Sequence, residues 1–294
     1  MSLNKPILKL RDWIDKDKLD WDMLSINKNA IELLKRNPEK INWYVLSYNK
    51  NGINLLENQR DKIDWENLSL NKNAIEILKD NQEKIDWYLL SRNKNAIRLL
   101  EENPDKIDWY NLSYNKNAIH LLEENQEKIE WYNLPENKNA IELIEKNKDK
   151  IVWKYLSLNK NAIRLLEENP DKIDWYDLSR NKNAIKLLEK NKDKIDWRGL
   201  SYNKNAIKLL EDNPENINWE DLSLNNNAIY LLKKNQDKID WNNFSKNPSI
   251  FELDYEQMRI NNMDMYEDLI KEVMKPSRVF KNPDYDYLEE LFGD

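Results

Sequence analysis

The 294-residue chain contains no cysteine, three glycines (Gly52, Gly199 and Gly293) and one histidine, His120. The lack of cysteine excludes disulfides, thiolate metal ligands and a cysteine nucleophile, and it suits a reducing compartment. No apolar run approaches the ~20 residues of a membrane-spanning helix. Met1 to Leu10 lacks the apolar stretch of a secretory signal. The expectation is a soluble, intracellular protein. A nucleotide-binding glycine loop, an HExxH helix and a GxSxG elbow are all missing, so no metal, cofactor or small-molecule substrate is implied and the chain reads as non-enzymatic.

Charged residues, by contrast, make up 34% of the chain, with a net charge of −7. That excess is local. Ser249 to Asp294 holds 12 acidic and 5 basic residues, which leaves 42 of each sign in the first 248. A neutral body has no general pull toward nucleic acid or an anionic membrane.

Tryptophan recurs at Trp21, Trp43, Trp65 and every 22 residues thereafter to Trp241, giving eleven units without insertion. With Trp as position 1, position 4 is Leu (Phe244 in the last unit), position 7 is always Asn, positions 10 and 11 read Ala-Ile, and positions 13 and 14 read Leu-Leu with few changes. Ala118, Ile119, Leu121 and Leu122 make one stripe of a 3.6-residue period, and strict alternation is absent. Asp at position 22 suits an N-cap for a short first helix. Asn at position 7 suits an N-cap for a second, and Asn at position 17 suits a left-handed residue closing it.

Each unit therefore reads as a helix of six or seven residues, a tight turn and a helix of about nine. Isolated helices below ~12–15 residues are marginal in water, so the units must stack. The predicted fold is an all-α, right-handed α-solenoid of two-helix repeats. Helix spacings of roughly 8–10 Å stretch eleven units to about 100 Å. The competing reading is a leucine-rich-repeat-like β solenoid, but it needs an L-x-L strand that the sequence lacks. Residues 1–20 read as a partial N-terminal cap, 21–248 as the repeats and 249–294 as an acidic cap or tail. In that last segment, helices are expected at Tyr255 to Asn262, Met265 to Lys275 and Tyr285 to Phe292.

Units such as Trp109-Tyr110-x-Leu-Ser-x-Asn-Lys-Asn-Ala-Ile-x-Leu-Leu-Glu-x-Asn resemble tandem repeats abundant in proteins of giant DNA viruses, mimivirus-like ones especially. The resemblance covers about Asp20 to Leu253. The family often has Pro at position 8, where this chain mostly has Lys. Phe251 to Tyr255 and Pro276-Ser277-Arg278-Val279 resemble segments that follow the family's repeats. The His that often precedes that Pro is Lys275 here, so no role carries over. The resemblance implies a viral protein in the host cytoplasm, without catalytic activity.

Fixed positions are committed to the core and caps, so specificity must lie in the variable ones. On the second helix, positions 12 and 16 carry opposite charges, as in Arg98/Glu102, Arg164/Glu168, Glu32/Arg36, Glu142/Lys146 and Lys208/Asp212, worth about 0.2–0.5 kcal/mol each. His120 stands in that solvated row. On the first helix, positions 2 and 6 share a face and vary between units. Tyr44, Tyr48, Tyr88, Arg92, Tyr110, Tyr114, Tyr132, Tyr176, Arg180 and Tyr202 lie there, among Leu70, Leu158 and Leu224. Tyr and Arg are enriched at binding hot spots, which marks this row as the partner-binding surface. The competing reading has the tyrosines packed on adjacent units. The expected partner is a viral or host protein. RNA, read by stacking Tyr and Arg, is the second choice because the repeat body is neutral.

Overall fold

A computed structural model describes residues 6–275. The readings at Pro276 to Val279 and at Tyr285 to Phe292 lie outside the described residues. Asp12–Ile250 form one compact unit, and a second combines the stretches before Asp12 and after Ile250.

The repeats are helical and tandem, as expected, but each holds three helical pieces. In the third unit these are a first helix at Trp65–Leu70, a second at Ile75–Lys79 and a 3-10 turn at Gln82–Lys84. Position 17 explains the shortened second helix. Asn81 has φ −140 and ψ 50, and no described residue has a positive φ, so the predicted left-handed close is not used. Instead the Asn81 side-chain amide donates to the Ile77 carbonyl at 2.8 Å. That bond satisfies an orphan carbonyl of the last turn and ends the helix.

The first-helix cap is as predicted. Asp64 accepts from the Asn67 N–H at 2.8 Å, and Asp or Asn does the same before nine of the eleven first helices. The exceptions are consecutive. In the sixth unit Glu130 precedes Trp131 and Pro135 stands at position 5, and the first helix shrinks to a 3-10 turn, Leu134–Glu136. In the seventh, Val152 has no side chain to cap with.

Positions 4, 10, 14 and 21 build the core, as Leu68, Ala74, Leu78 and Ile85 show. The tryptophans are only half-buried. Nine of the eleven rings lie instead under the lysine at position 20, as where Lys84 Nζ is 4.6 Å from the Trp65 ring centroid. Such cation–π contacts are worth about 0.5–2 kcal/mol depending on desolvation.

The asparagine at position 7 has a larger role than the predicted second-helix cap. Ala74, the residue that opens that helix, makes no side-chain cap. Asn71, 1% exposed, donates to the Ser47 carbonyl at 2.9 Å and the Asn49 carbonyl at 3.0 Å of the preceding unit. Its Oδ1 accepts from the Asn73 N–H at 3.1 Å. Asn73 Nδ2 in turn donates to the Lys50 carbonyl at 2.8 Å. A polar ladder thus threads the joint between units: it gives the buried Ser47 carbonyl a partner and adds a second bond to the Asn49 carbonyl, which also accepts from the Gly52 N–H at 2.9 Å.

The ladder has no end. Asn27 of the first unit donates to the Ser245 carbonyl at 2.8 Å and the Asn247 carbonyl at 3.0 Å of the eleventh. Asn29 donates to the Pro248 carbonyl at 2.9 Å, and the Asp20 N–H donates to Ser245 Oγ at 2.9 Å. Lys18 Nζ lies 5.4 Å from the Trp241 ring centroid. The asparagine bonds have counterparts at every other joint, and the serine and lysine–tryptophan contacts have them at most joints, so Asp12–Ile250 close into a ring of eleven units. The 100 Å linear stack is therefore replaced by a circle. Residues 12–20 are not a cap: Lys18, Leu19 and Asp20 supply positions 20 to 22 of the eleventh unit. Near-identical units impose a near-constant rotation per step, and a repeated head-to-tail contact closes when its rotations complete a turn.

On a ring, elements of the inner circumference sit closest together. First helices of successive units pack against one another, whereas second helices make no comparable contact. The first helices are the inner wall.

The other compact unit is described by itself. Leu8–Leu10 pair antiparallel with Phe251–Leu253, in the register Leu8 to Leu253 and Leu10 to Phe251. Arg11 donates to Glu252 at 2.8 Å. A single helix, Tyr255–Val273, replaces the two expected there, with Asp254 as its N-cap. Its mid-segment Asn261 and Asn262 do not interrupt it, since asparagine has a weak helix propensity but keeps its backbone N–H.

Candidate interaction surface

Position 2 projects from the first helices, with Tyr44 58% exposed, Tyr88 52%, Tyr132 49%, and Tyr110 and Tyr176 43% each. Position 6 is more closely held. Tyr48 and Tyr202 are exposed and so is Arg92, but Tyr114 and Arg180 are half-buried, as are Leu70, Leu158 and Leu224. The leucines are thus less exposed than the sequence reading required.

Several of these side chains meet each other. The Arg92 guanidinium stacks on Tyr114 of the next unit, 4.4 Å from the ring centroid. Arg180 lies 5.3 Å from the Tyr202 ring and 5.7 Å from Tyr176. Tyr110 and Tyr114 pack edge to face at 6.2 Å, and the Tyr114 hydroxyl donates to Asn133 Oδ1 at 2.8 Å. Burial, the Glu136 carboxylate and Tyr110 push the Tyr114 phenol up to about 12. Tyr114 is therefore partly structural, whereas the position-2 tyrosines stay 43% to 58% exposed even where they touch a neighbour. Tyr132 packs on Tyr155 at 4.6 Å with their hydroxyls hydrogen-bonded.

The structure adds a row that the sequence reading passed over. Position 8 is lysine in nine of the eleven units, from Lys28 to Lys204, with Asn226 and Pro248 in the last two. It lines the inner wall beside position 6. One concavity of about 340 Å³ collects Ile26, Tyr48, Leu70 and Arg92 from position 6 with Lys28, Lys50, Lys72 and Lys94 from position 8. Burial and then Lys50, Lys94 and Lys28 hold the Lys72 ammonium below the usual lysine range. Lys138 and Lys94 do the same to Lys116. Curvature brings charges two units apart into range: Glu136, raised by burial, is held back by Arg92 on one side and Arg180 on the other. The available signal was the recurrence of lysine, in nine of eleven units, at a position that is neither core nor cap.

The outer wall behaves differently. Of the five expected pairs, Arg98–Glu102 at 3.0 Å and Arg164–Glu168 at 2.9 Å form. Glu32 pairs with Lys35 at 2.7 Å instead. His120 accepts or donates one bond, to Glu101 at 2.8 Å, and is half exposed. Among the described residues no group of three or more His, Asp or Glu is placed to hold a metal, and no helix is long and apolar enough to cross a membrane.

These features define a class: an all-α tandem-repeat scaffold closed into a ring by an internal polar ladder. No family model, no curated protein and no solved structure matches the chain.

Proposed function

We propose that the ring is a non-catalytic scaffold that holds a protein partner on the exposed tyrosines of its first helices. The observation that carries this reading is the row Tyr44, Tyr88, Tyr110, Tyr132 and Tyr176. These are large amphipathic side chains, about half exposed, at one position of a rigid repeated frame. Tyrosine offers contact area at low entropic cost, and variation between units on a fixed frame encodes a partner. The resemblance to giant-virus repeats supports a viral protein meeting its partner in the cytoplasm of an infected cell.

The test is affinity capture from infected-cell extract, with and without nuclease, followed by binding measurements on the recovered protein. Tyr88→Ala with Tyr110→Ala should weaken binding about thirtyfold or more, since hot-spot truncations cost about 2 kcal/mol or more. Thermal melting should be unchanged. Normal binding by the folded double variant overturns the assignment of the site.

A further inference from the structure

We propose that the lysine row at position 8 is a track for single-stranded nucleic acid, with about one phosphate taken by each unit. This site is separate from the tyrosine row at position 2 and stands or falls independently of it.

The neutral repeat body is an average over two unlike walls. Positions 6 and 8 together hold twelve cations and one carboxylate, Glu136, a net of +11. The first 248 residues sum to zero, so the rest of the body carries the opposite charge. The objection to nucleic acid was this neutrality, and it does not hold on the inner wall.

Among the described residues none of the nine lysines forms an ion pair, while four second-helix cations, Lys35, Lys79, Arg98 and Arg164, pair with carboxylates at 2.7 to 3.2 Å. Their spacing is fixed. The carbonyl of each position-8 residue accepts from position 9 of the next unit, as in Asn51 to Lys28, Asn95 to Lys72 and Asn117 to Lys94 at 2.8 Å. The row is thus a periodic array of like charges held in mutual repulsion. A polymer bearing one negative charge per repeat relieves that repulsion at every step, and it releases its own counterions in doing so.

The neighbouring position 6 favours a nucleic-acid strand over an acidic polypeptide. Tyr48, Arg92, Tyr114, Arg180 and Tyr202 set flat groups beside the lysines. Lys-lined grooves that track the backbone, flanked by groups on which bases stack, are how single strands are held without sequence preference. An acidic peptide has no use for the stacking surfaces or the strict period. The row ends at Asn226 and Pro248, which predicts a footprint of about nine nucleotides.

The experiment is fluorescence anisotropy with a labelled twelve-nucleotide oligouridylate and oligothymidylate, competed by duplex DNA of the same length and by polyglutamate. Wild type should bind both single strands and lose roughly 10³-fold or more in affinity between 50 and 200 mM salt. The variant Lys50→Glu/Lys72→Glu/Lys94→Glu should lose at least about a hundredfold, and the triple Lys→Gln version should flatten the salt slope by about 2. The control Lys186→Glu/Lys190→Glu/Lys208→Glu makes the same change in net charge on exposed second-helix lysines and should bind like wild type. If the charge-reversed variant fails to fold by circular dichroism, the Lys→Gln version decides. Equal loss in inner and outer variants, no binding of either strand at 50 mM salt, or equal competition by polyglutamate or duplex each overturns the proposal. None of these outcomes bears on the tyrosine row, whose test is capture of a protein.

Discussion

Two joints of the ring invite comparison: the one where units eleven and one meet without a covalent link, and the one between units six and seven, where the chain is continuous. The first keeps the full set of contacts. Asn27, Asn29 and Asp20 make the same bonds to Ser245, Asn247 and Pro248 that interior units make to their neighbours, at 2.8 to 3.0 Å. The second loses some. Ser at position 5 elsewhere accepts the N–H of position 22, as Ser69 does from Asp86 at 3.0 Å. Pro135 has no hydroxyl to offer Val152, and neither Glu130 nor Val152 caps the helix that follows it. The asparagine ladder nevertheless continues, with Asn159 donating to the Pro135 carbonyl at 2.8 Å. The strength of a joint therefore follows its side chains and not its covalent continuity.

The sharpest way to break this comparison is at the ladder. Asn71→Ala leaves the buried Ser47 carbonyl without a partner and removes one of the two bonds to the Asn49 carbonyl, which keeps the Gly52 N–H at 2.9 Å. At about 1–3 kcal/mol for an unsatisfied buried group and about 1 kcal/mol for a lost hydrogen bond, the loss should be roughly 2–4 kcal/mol. Asn27→Ala should cost as much, because its bonds to the eleventh unit are of the same kind. In an open stack Asn27 has no preceding unit, and its replacement would be nearly neutral. Urea titrations of the two variants decide: a large loss for Asn71→Ala with almost none for Asn27→Ala would mean that the ring is open in solution.

A smaller effect sharpens the other half. Pro135→Ser with Val152→Asp restores the missing hydroxyl and the missing cap. An N-cap is worth about 1 kcal/mol and a hydrogen bond about the same, so the repaired protein should gain roughly 2 kcal/mol. The mirror variant, Ser69→Ala with Asp86→Ala, should lose a comparable amount in a regular joint. If the repair destabilises instead, the Tyr132–Tyr155 contact at 4.6 Å depends on the irregular backbone and stabilises the joint in its place.

The tandem helical repeat was legible because its signals are local. The Trp interval, the apolar stripe of Ala118 to Leu122 and the aspartate or asparagine before nine of the eleven Trp all act within one unit. Closure was not, because it depends on a small rotation per unit that accumulates over eleven steps. Lys18-Leu19-Asp20 did match positions 20 to 22, and that match is the trace of closure that the sequence carries. Position 7 misled for a related reason. Asparagine before a helix suggests a cap, and only the contact with the preceding unit shows Asn71 reaching the Ser47 and Asn49 carbonyls. The site was half legible. The tyrosines stood out by residue type, whereas the lysines at position 8 gain meaning only from curvature, which brings Lys28 and Lys72 within range of each other.

That curvature makes the last and smallest prediction. On the inner wall burial, and then the charges of Lys50, Lys94 and Lys28, hold the Lys72 ammonium below the usual lysine range. A lysine whose folded value is lowered binds its proton more weakly in the folded state than in the unfolded one. It therefore opposes folding while protonated, and stability rises as pH climbs through the folded value toward 10.5, the ordinary lysine value. Lys72→Gln removes one repelling charge and should raise stability at pH 7 by at most about 0.5 kcal/mol, the usual range for a surface change. Wild type should close that gap as pH nears 10.5, because its own Lys72 then loses its charge while the variant has nothing there to titrate. Salt should close it too, since a Debye length of about 10 Å at 0.1 M falls to about 3 Å at 1 M. The tyrosines set the upper limit of the measurement: Tyr114, pushed up to about 12, keeps its proton in the fold and costs stability above its ordinary value of 10. Chemical denaturation of both proteins at pH 7 and pH 10, in low and high salt, provides the comparison. A gap that is constant across pH and salt would show that Lys72 does not feel its neighbours, and the inner wall would then be less tightly curved than the closed ladder requires.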